Sequence, residues 1–267
     1  MRRNPTVVFL GLLLLSLMLM IGLKGVLPIL PQTEPETILV AAAASLQNAV
    51  QELDTLFESS SRVTVNYNFA ASGTLQQQIQ QGAPIDVFLS AAAQQMDVLE
   101  EQGLILADTR NNLLTNSLVL IVPNDSTLDL TNFQQLTNSR VGKVSVGEPR
   151  SVPAGQYTEE LLSNLGILEQ VRSKLVYGNS VRNVLGTVES GNADAGVVYI
   201  TDAQISDQVR QVATAPSNLH APIVYPVAVI KASRNQRAAR DYRQFLNTQA
   251  AKDIFKKYGF GIAETGV

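Results

Sequence analysis

From Thr37 onward the chain alternates short apolar runs with amphipathic stretches of roughly 10–15 residues. Apolar runs bounded by polar or glycine-containing segments predict strands at 37–42, 62–68, 85–90, 117–122, 143–147, 195–199 and 223–230. Apolar positions recurring at helical spacing predict helices at 46–58, 75–81, 94–101, 155–165, 182–190, 235–247 and 249–258. Strand–helix alternation of this kind predicts an α/β protein with parallel sheet and helices on both faces. Ligands of such sheets bind beyond the carboxyl ends of the strands, so the strand-to-helix turns are where chemistry is expected.

The amino terminus follows a different pattern. Arg2 and Arg3 precede an uncharged run over 7–23, broken only by Gly11, Ser16 and Gly22. This reads as a targeting segment. It is long for a secretory signal and short for a membrane span, so a cleaved signal peptide and a retained membrane anchor over residues 1–31 both stay open. No cysteine follows the run to take a lipid. Pro28, Pro31 and Pro35, with polar neighbours, make residues 32–36 a stiff linker. The two arginines favour the cytoplasmic side, which places the remainder outside, in a periplasm. An anchored form would differ only in that the first segment still touches the membrane.

Composition narrows the chemistry. The 267 residues include no Cys, no Trp and a single His, His220. Thiol catalysis, Cys/His zinc sites, haem, iron–sulfur clusters and disulfides are excluded, and any Ser/His/Asp catalysis would have to pass through His220, which lies in a loop-like stretch. The net charge is −3; without residues 1–31, which hold Arg2, Arg3 and Lys24 and no acid, it is −6. No basic face for nucleic acid is expected. The length suits one large or two small domains.

No GxGxxG, GxxxxGK[ST] or DxDxDG motif occurs. The turns themselves are distinctive. Ser45 follows a run of alanines over 41–44, and Ser72 follows Ala70 and Ala71 and precedes Gly73. Both serines are candidates either for a helix N-cap or for a ligand contact, where small neighbours allow close approach to backbone N–H groups. Pro153 and Gly155 bracket a helix start and leave the Ala154 amide free at the positive end of the dipole. Gly178 to Arg182 open the next helix. Tyr199 ends an apolar strand, where packing and ligand contact are both open readings.

Together these segments resemble the periplasmic molybdate-binding proteins, the ModA family, of ABC importers. The matching stretches are VAAAASLQNA (40–49), ASGTLQQQI (71–79), GAPIDVFLSA (82–91), VPAGQY (152–157), GNADAGVVYITDA (191–203), YPVAV (225–229) and IFKKYGF (254–260). The resemblance implies a type II periplasmic binding protein, two α/β lobes joined by two crossover strands near 117–122 and 223–229. It implies lobe 1 over 37–118 and again over 226–262, with lobe 2 over 119–225. By position, its oxyanion contacts fall on Ser45, Ser72, Ala154, Val181 and Tyr199, any metal being held only through the oxygens of the anion. Glu148, Ile85 and Ser180 depart from the family's usual Asp, Ala and Asn.

The implied function is capture of molybdate, with tungstate as a second ligand, and delivery to an ABC transporter permease by a monomer that is not an enzyme and has no cofactor. A binder of another tetrahedral oxyanion such as sulfate, or a membrane-anchored oxyanion sensor, are the alternatives. Asp86, Asp194 and Asp202 are expected to cap or bridge elements, and Arg150 and Arg182 to point outward or stand behind the site.

Overall fold

The computed structural model describes residues 36–264. The expected targeting segment and most of the linker lie outside these residues. Among the described residues no helix is long and apolar enough to cross a membrane.

The first half-lobe runs β1 (Glu36–Ala43), a single 3-10 turn (Ala44–Leu46), α1 (Gln47–Ser60), β2 (Val63–Ala70), α2 (Ser72–Gln80), β3 (Val87–Leu89), α3 (Ala93–Glu101) and β4 (Asn111–Thr115). The second lobe follows with β5 (Leu118–Pro123), β6 (Val144–Gly147), α4 (Pro153–Asn164), the short α5 (Leu168–Val171), β7 (Leu175–Gly178), α6 (Val181–Glu189), β8 (Ala195–Tyr199), the short α7 (Ile200–Ala203) and β9 (Val209–Thr214). The chain then returns through β10 (Val224–Val229), α8 (Gln236–Phe245), α9 (Gln249–Lys257) and β11 (Gly261–Ile262).

These strands form two sheets, ordered β11-β4-β10-β3-β1-β2 and β7-β6-β8-β5-β9. In the first sheet, side-chain alternation along each strand supplies two cores. Val40, Ala42, Val87, Leu89, Val227 and Val229 cluster with Val50, Leu53 and Phe57 of α1 and Tyr242 of α8. Ala41, Phe88 and Ala228, one position out of step, cluster with Leu75 and Ile79 of α2 and Met96 and Leu99 of α3. This places helices on both faces, as the sequence pattern predicts.

The expectation of parallel sheet is corrected. The pairs β1–β2, β1–β3, β6–β7 and β6–β8 are parallel, but β10 runs antiparallel to β3 and β4, and β5 antiparallel to β8 and β9. The reason lies in the two crossings. β4 and β5 are joined only by Asn116 and Ser117, and β9 reaches β10 without an intervening helix. β5 and β10 therefore enter their sheets from the other lobe and not through a βαβ crossover within the same sheet, so nothing holds them parallel to their neighbours. The crossing segments bond to each other, Asn116 N donating to Ile223 O at 3.2 Å and Ala215 N to Leu118 O at 2.9 Å. Leu118 already belongs to the second sheet, and Val224 and Tyr225 to the first, one and two residues from the expected boundaries.

Candidate functional site

In the first lobe, β1 ends in small residues and passes straight into the 3-10 turn that holds Ser45, 3% exposed. Its hydroxyl caps no helix; Ser45 Oγ lies 2.9 Å from the Tyr225 hydroxyl. Ser72 is the first residue of α2, after an Ala71 N-cap, and is fully buried. Its Oγ accepts a bond from the Ala91 amide at 2.9 Å. The N-cap reading therefore fails for both serines. Since the Ser72 oxygen is already an acceptor, its hydrogen is left to donate elsewhere.

In the second lobe the donors belong to the backbone. α4 opens with Pro153, which has no N–H, so Ala154 presents the first amide of that helix, and Gly155 N and Gln156 N already bond Val152 O. Gly155 sits where a Cβ would lie 2.1 Å from Gly147 O, and only glycine lets the helix start this close to the end of β6. Val181 is the first residue of α6, whose N-cap Ser180 accepts from Asn183 N at 3.2 Å. Tyr199 closes β8, and its hydroxyl is buried without a hydrogen-bond partner among the described residues.

All five predicted positions, Ser45, Ser72, Ala154, Val181 and Tyr199, line one cavity. Its other walls include Ala43, Ala44, Ala71, Ala91, Val152 and Pro153, and among the described residues no charged side chain lines it. Counted out to its mouth, with the solvent it opens onto, it measures about 210 Å³. The amino ends of α2, α4 and α6 converge on it, each carrying a partial positive charge and amides without intrahelical partners. Burial, followed by the neighbouring Tyr225, Tyr157 and Asp202, pushes the Tyr199 phenol well above its ordinary range, so it is a neutral O–H group. Chemically the cavity can hold a small anion by directional donors.

The charged groups stand back. Arg150 is exposed and pairs with Glu148. Arg182 Nε lies 2.7 Å from Asp202 Oδ1, an ion pair by distance without hydrogen-bond alignment, and Arg182 Nη2 reaches across to Ser45 O at 3.3 Å. Burial outweighs the attraction of Arg182 and pushes the Asp202 carboxyl up to about 6. Asp86 bridges Leu39 N and Ser233 Oγ, and Asp194 accepts from Gly142 N and Lys143 N. His220 is in a surface loop, its Nδ1 2.8 Å from Ala221 O.

The lobes meet around the cavity. Gly73 N donates to Ser151 O at 2.9 Å and Gln95 Nε2 to Gln156 Oε1 at 3.2 Å. A Cβ on Gly73 would fall 2.6 Å from Ser151 O. Sequence reasoning missed these interlobe contacts, and missed Tyr225 and Asn116 behind Ser45, because nothing local in the chain marks partners so far apart.

Residues 38–261 match the family described as bacterial extracellular solute-binding protein. The molybdate-binding protein ModA of Escherichia coli (strain K12) is 42% identical over 231 residues, covering 84% of this chain and 89% of that one. The chain belongs to the ModA family. Two solved structures share the fold of this ModA-family protein at lower identity. The Azotobacter vinelandii periplasmic molybdate-binding protein has a TM-score of 0.78 at 23% identity, covering 85% of this chain and all of that one. The sulfate-binding protein SubI from Mycobacterium tuberculosis H37Rv has a TM-score of 0.75 at 16% identity, covering 84% and 86%. The architecture is the two-lobed type II periplasmic binding protein fold, and the ModA-family chain is a solute-binding protein of ABC import. Fold alone does not choose the anion.

Proposed function

We propose that this protein captures molybdate, and its isostere tungstate, in the interlobe cavity and presents it to an ABC permease outside the cytoplasmic membrane. The observation that carries the reading is the Tyr199 hydroxyl, buried and without a hydrogen-bond partner among the described residues, at the wall of a cavity also lined by Ser45, Ser72, Ala154 and Val181. An unsatisfied buried hydroxyl costs about 1–3 kcal/mol, and an anion oxygen removes that cost. The Ser45 and Ser72 hydroxyls and the Ala154 and Val181 amides supply further donors from four other turns. Bonds to an ionised acceptor are roughly twice as strong as neutral ones, so several together offset the desolvation of a dianion without a lysine or arginine at the ligand.

Bringing donors from two lobes onto one ion couples binding to closure, because neither lobe alone surrounds it. The closed face, with Gly73 against Ser151, is then the signal read by the permease. Identity of 42% to a molybdate-binding relative supports molybdate over sulfate; sulfate is smaller and cannot reach every donor at once. The protein acts as an exported monomer, residues 1–31 serving as its signal or tether.

Parallel thermal-shift titrations with molybdate, tungstate, sulfate and phosphate test this. A ligand at about 100 times its Kd stabilises by about 2.7 kcal/mol. Molybdate and tungstate should raise the melting temperature, and a rise with sulfate alone would overturn the assignment.

A further inference from the structure

The direction of the Ser45 hydroxyl is set from behind. Asn116, in the first crossing between the lobes, accepts from Ser117 N through Oδ1 at 2.9 Å. That bond orients the amide so that Nδ2 donates twice, to Thr201 Oγ1 at 3.0 Å and to the Tyr225 hydroxyl at 3.1 Å. The Tyr225 side chain is fully buried and, among the described residues, its oxygen is in hydrogen-bonding geometry only with Asn116 and Ser45; the Tyr199 hydroxyl lies near it but is not aligned to bond. Having received a hydrogen from Asn116, the phenol satisfies its own by donating to Ser45 Oγ at 2.9 Å. The opposite polarity would strand the phenol hydrogen in the interior. Ser45 Oγ is thereby occupied as an acceptor, and its hydrogen is turned toward the cavity that Ser45 lines.

We propose that Asn116 and Tyr225 form a hydrogen-bond relay that fixes Ser45 as a donor, making them positioning residues that select fully deprotonated tetrahedral oxyanions over those that carry a proton. This deepens the oxyanion reading and rests on it. A protonated anion such as hydrogen phosphate needs an acceptor in the site. Ser72 is turned the same way by the Ala91 amide, but that polarity is fixed by backbone. At Ser45 it depends on side chains and can be reversed. Because Asn116 is the first of the two residues joining β4 to β5, the same amide also ties the relay to the segment about which the lobes are connected.

The test is reversal. In Asn116→Asp the carboxylate still accepts from Ser117 N, but toward Tyr225 it only accepts. The phenol then donates to that carboxylate, receives from Ser45, and Ser45 offers the cavity lone pairs. Tyr225→Phe removes the relay without reversing it, and keeps the test usable if the first variant folds poorly. Wild type and both variants are titrated at pH 8 with molybdate and with phosphate by thermal shift. The ratio of molybdate to phosphate affinity should fall about 10-fold or more in Asn116→Asp and by less in Tyr225→Phe. The added charge of the carboxylate bears on both dianions, so it cancels in the ratio. A ratio unchanged within about twofold in both variants, with wild type binding molybdate, would overturn the relay alone. Failure of wild type to bind molybdate would instead remove the functional reading beneath it.

Discussion

The two lobes reach the same cavity with different chemistry. The first contributes hydroxyls, Ser45 and Ser72, whose hydrogens are free to rotate and are directed by neighbours: Tyr225 in one case, the Ala91 amide in the other. The second contributes backbone amides at Ala154 and Val181, aimed by the starts of α4 and α6, and adds one phenol without a partner among the described residues. Hydroxyl donors can be altered by a single side-chain change. Amide donors are proof against that, and are disturbed only by changing how the backbone packs. Tyr199 apart, the contrast divides the site into a tunable half and a rigid half.

The largest effect should come from the backbone contact between the halves. A methyl group at Gly73 would press on Ser151 O, and on the proposed closure it burdens only the ligand-bound arrangement. Gly73→Ala is expected to weaken molybdate binding by about 2–4 kcal/mol, combining overpacking with a lost interlobe bond, while the unliganded melting temperature stays close to wild type. Calorimetric titration beside a melting curve checks this; equal losses in both would mean the contact serves stability and not closure.

Next is the tunable half. Ser72→Ala should cost about 1.5–3 kcal/mol of anion affinity. It should also lower unliganded stability by about 1–3 kcal/mol, because the Ala91 amide loses its buried acceptor. Comparing chemical denaturation with and without molybdate separates the two losses. A purely structural serine would show only the second.

The smallest effect lies away from the cavity. Asp54, half-buried on α1, is pushed up from 3.8 to about 6 by burial, against the bond donated by Tyr67. The folded state therefore favours its protonated form, and the stabilisation this brings is present below about pH 4 and lost as pH rises through 6. Solvent access keeps the gain small, under about 1 kcal/mol. Asp54→Asn should flatten the pH dependence of unfolding between 4 and 6 and leave molybdate affinity unchanged. A change in affinity would link this outlying group to the site.

How much of the molecule is legible in the chain follows the same division between local and distant. The helix starts at Ser72, Pro153 and Val181 are legible because each is written in a few consecutive residues: small residues, a proline, a glycine, a hydroxyl. So is the two-sided core of β1, through strict alternation of Ile38, Val40 and Ala42 against Leu39 and Ala41. Strands β7, β9 and β11 are not, since they are sheet edges, short or partly polar, with no continuous apolar run to announce them. With β4 and β9 unseen, the strand–helix alternation alone reads as parallel sheet, and the two crossings come only from the family resemblance. The roles of Tyr225 and Asn116 are illegible for a related reason. Each is meaningful only through a partner more than a hundred residues away.

The central claim is that an anion oxygen completes the buried Tyr199 hydroxyl. Its most direct test is a molybdate titration of Tyr199→Phe with the unliganded melting temperature measured alongside. Because the hydroxyl has no partner among the described residues, its removal should leave unliganded stability unchanged or slightly higher, while molybdate affinity falls by about 1.5–3 kcal/mol. Undiminished affinity, or an unliganded protein destabilised as much as binding is weakened, would contradict the account.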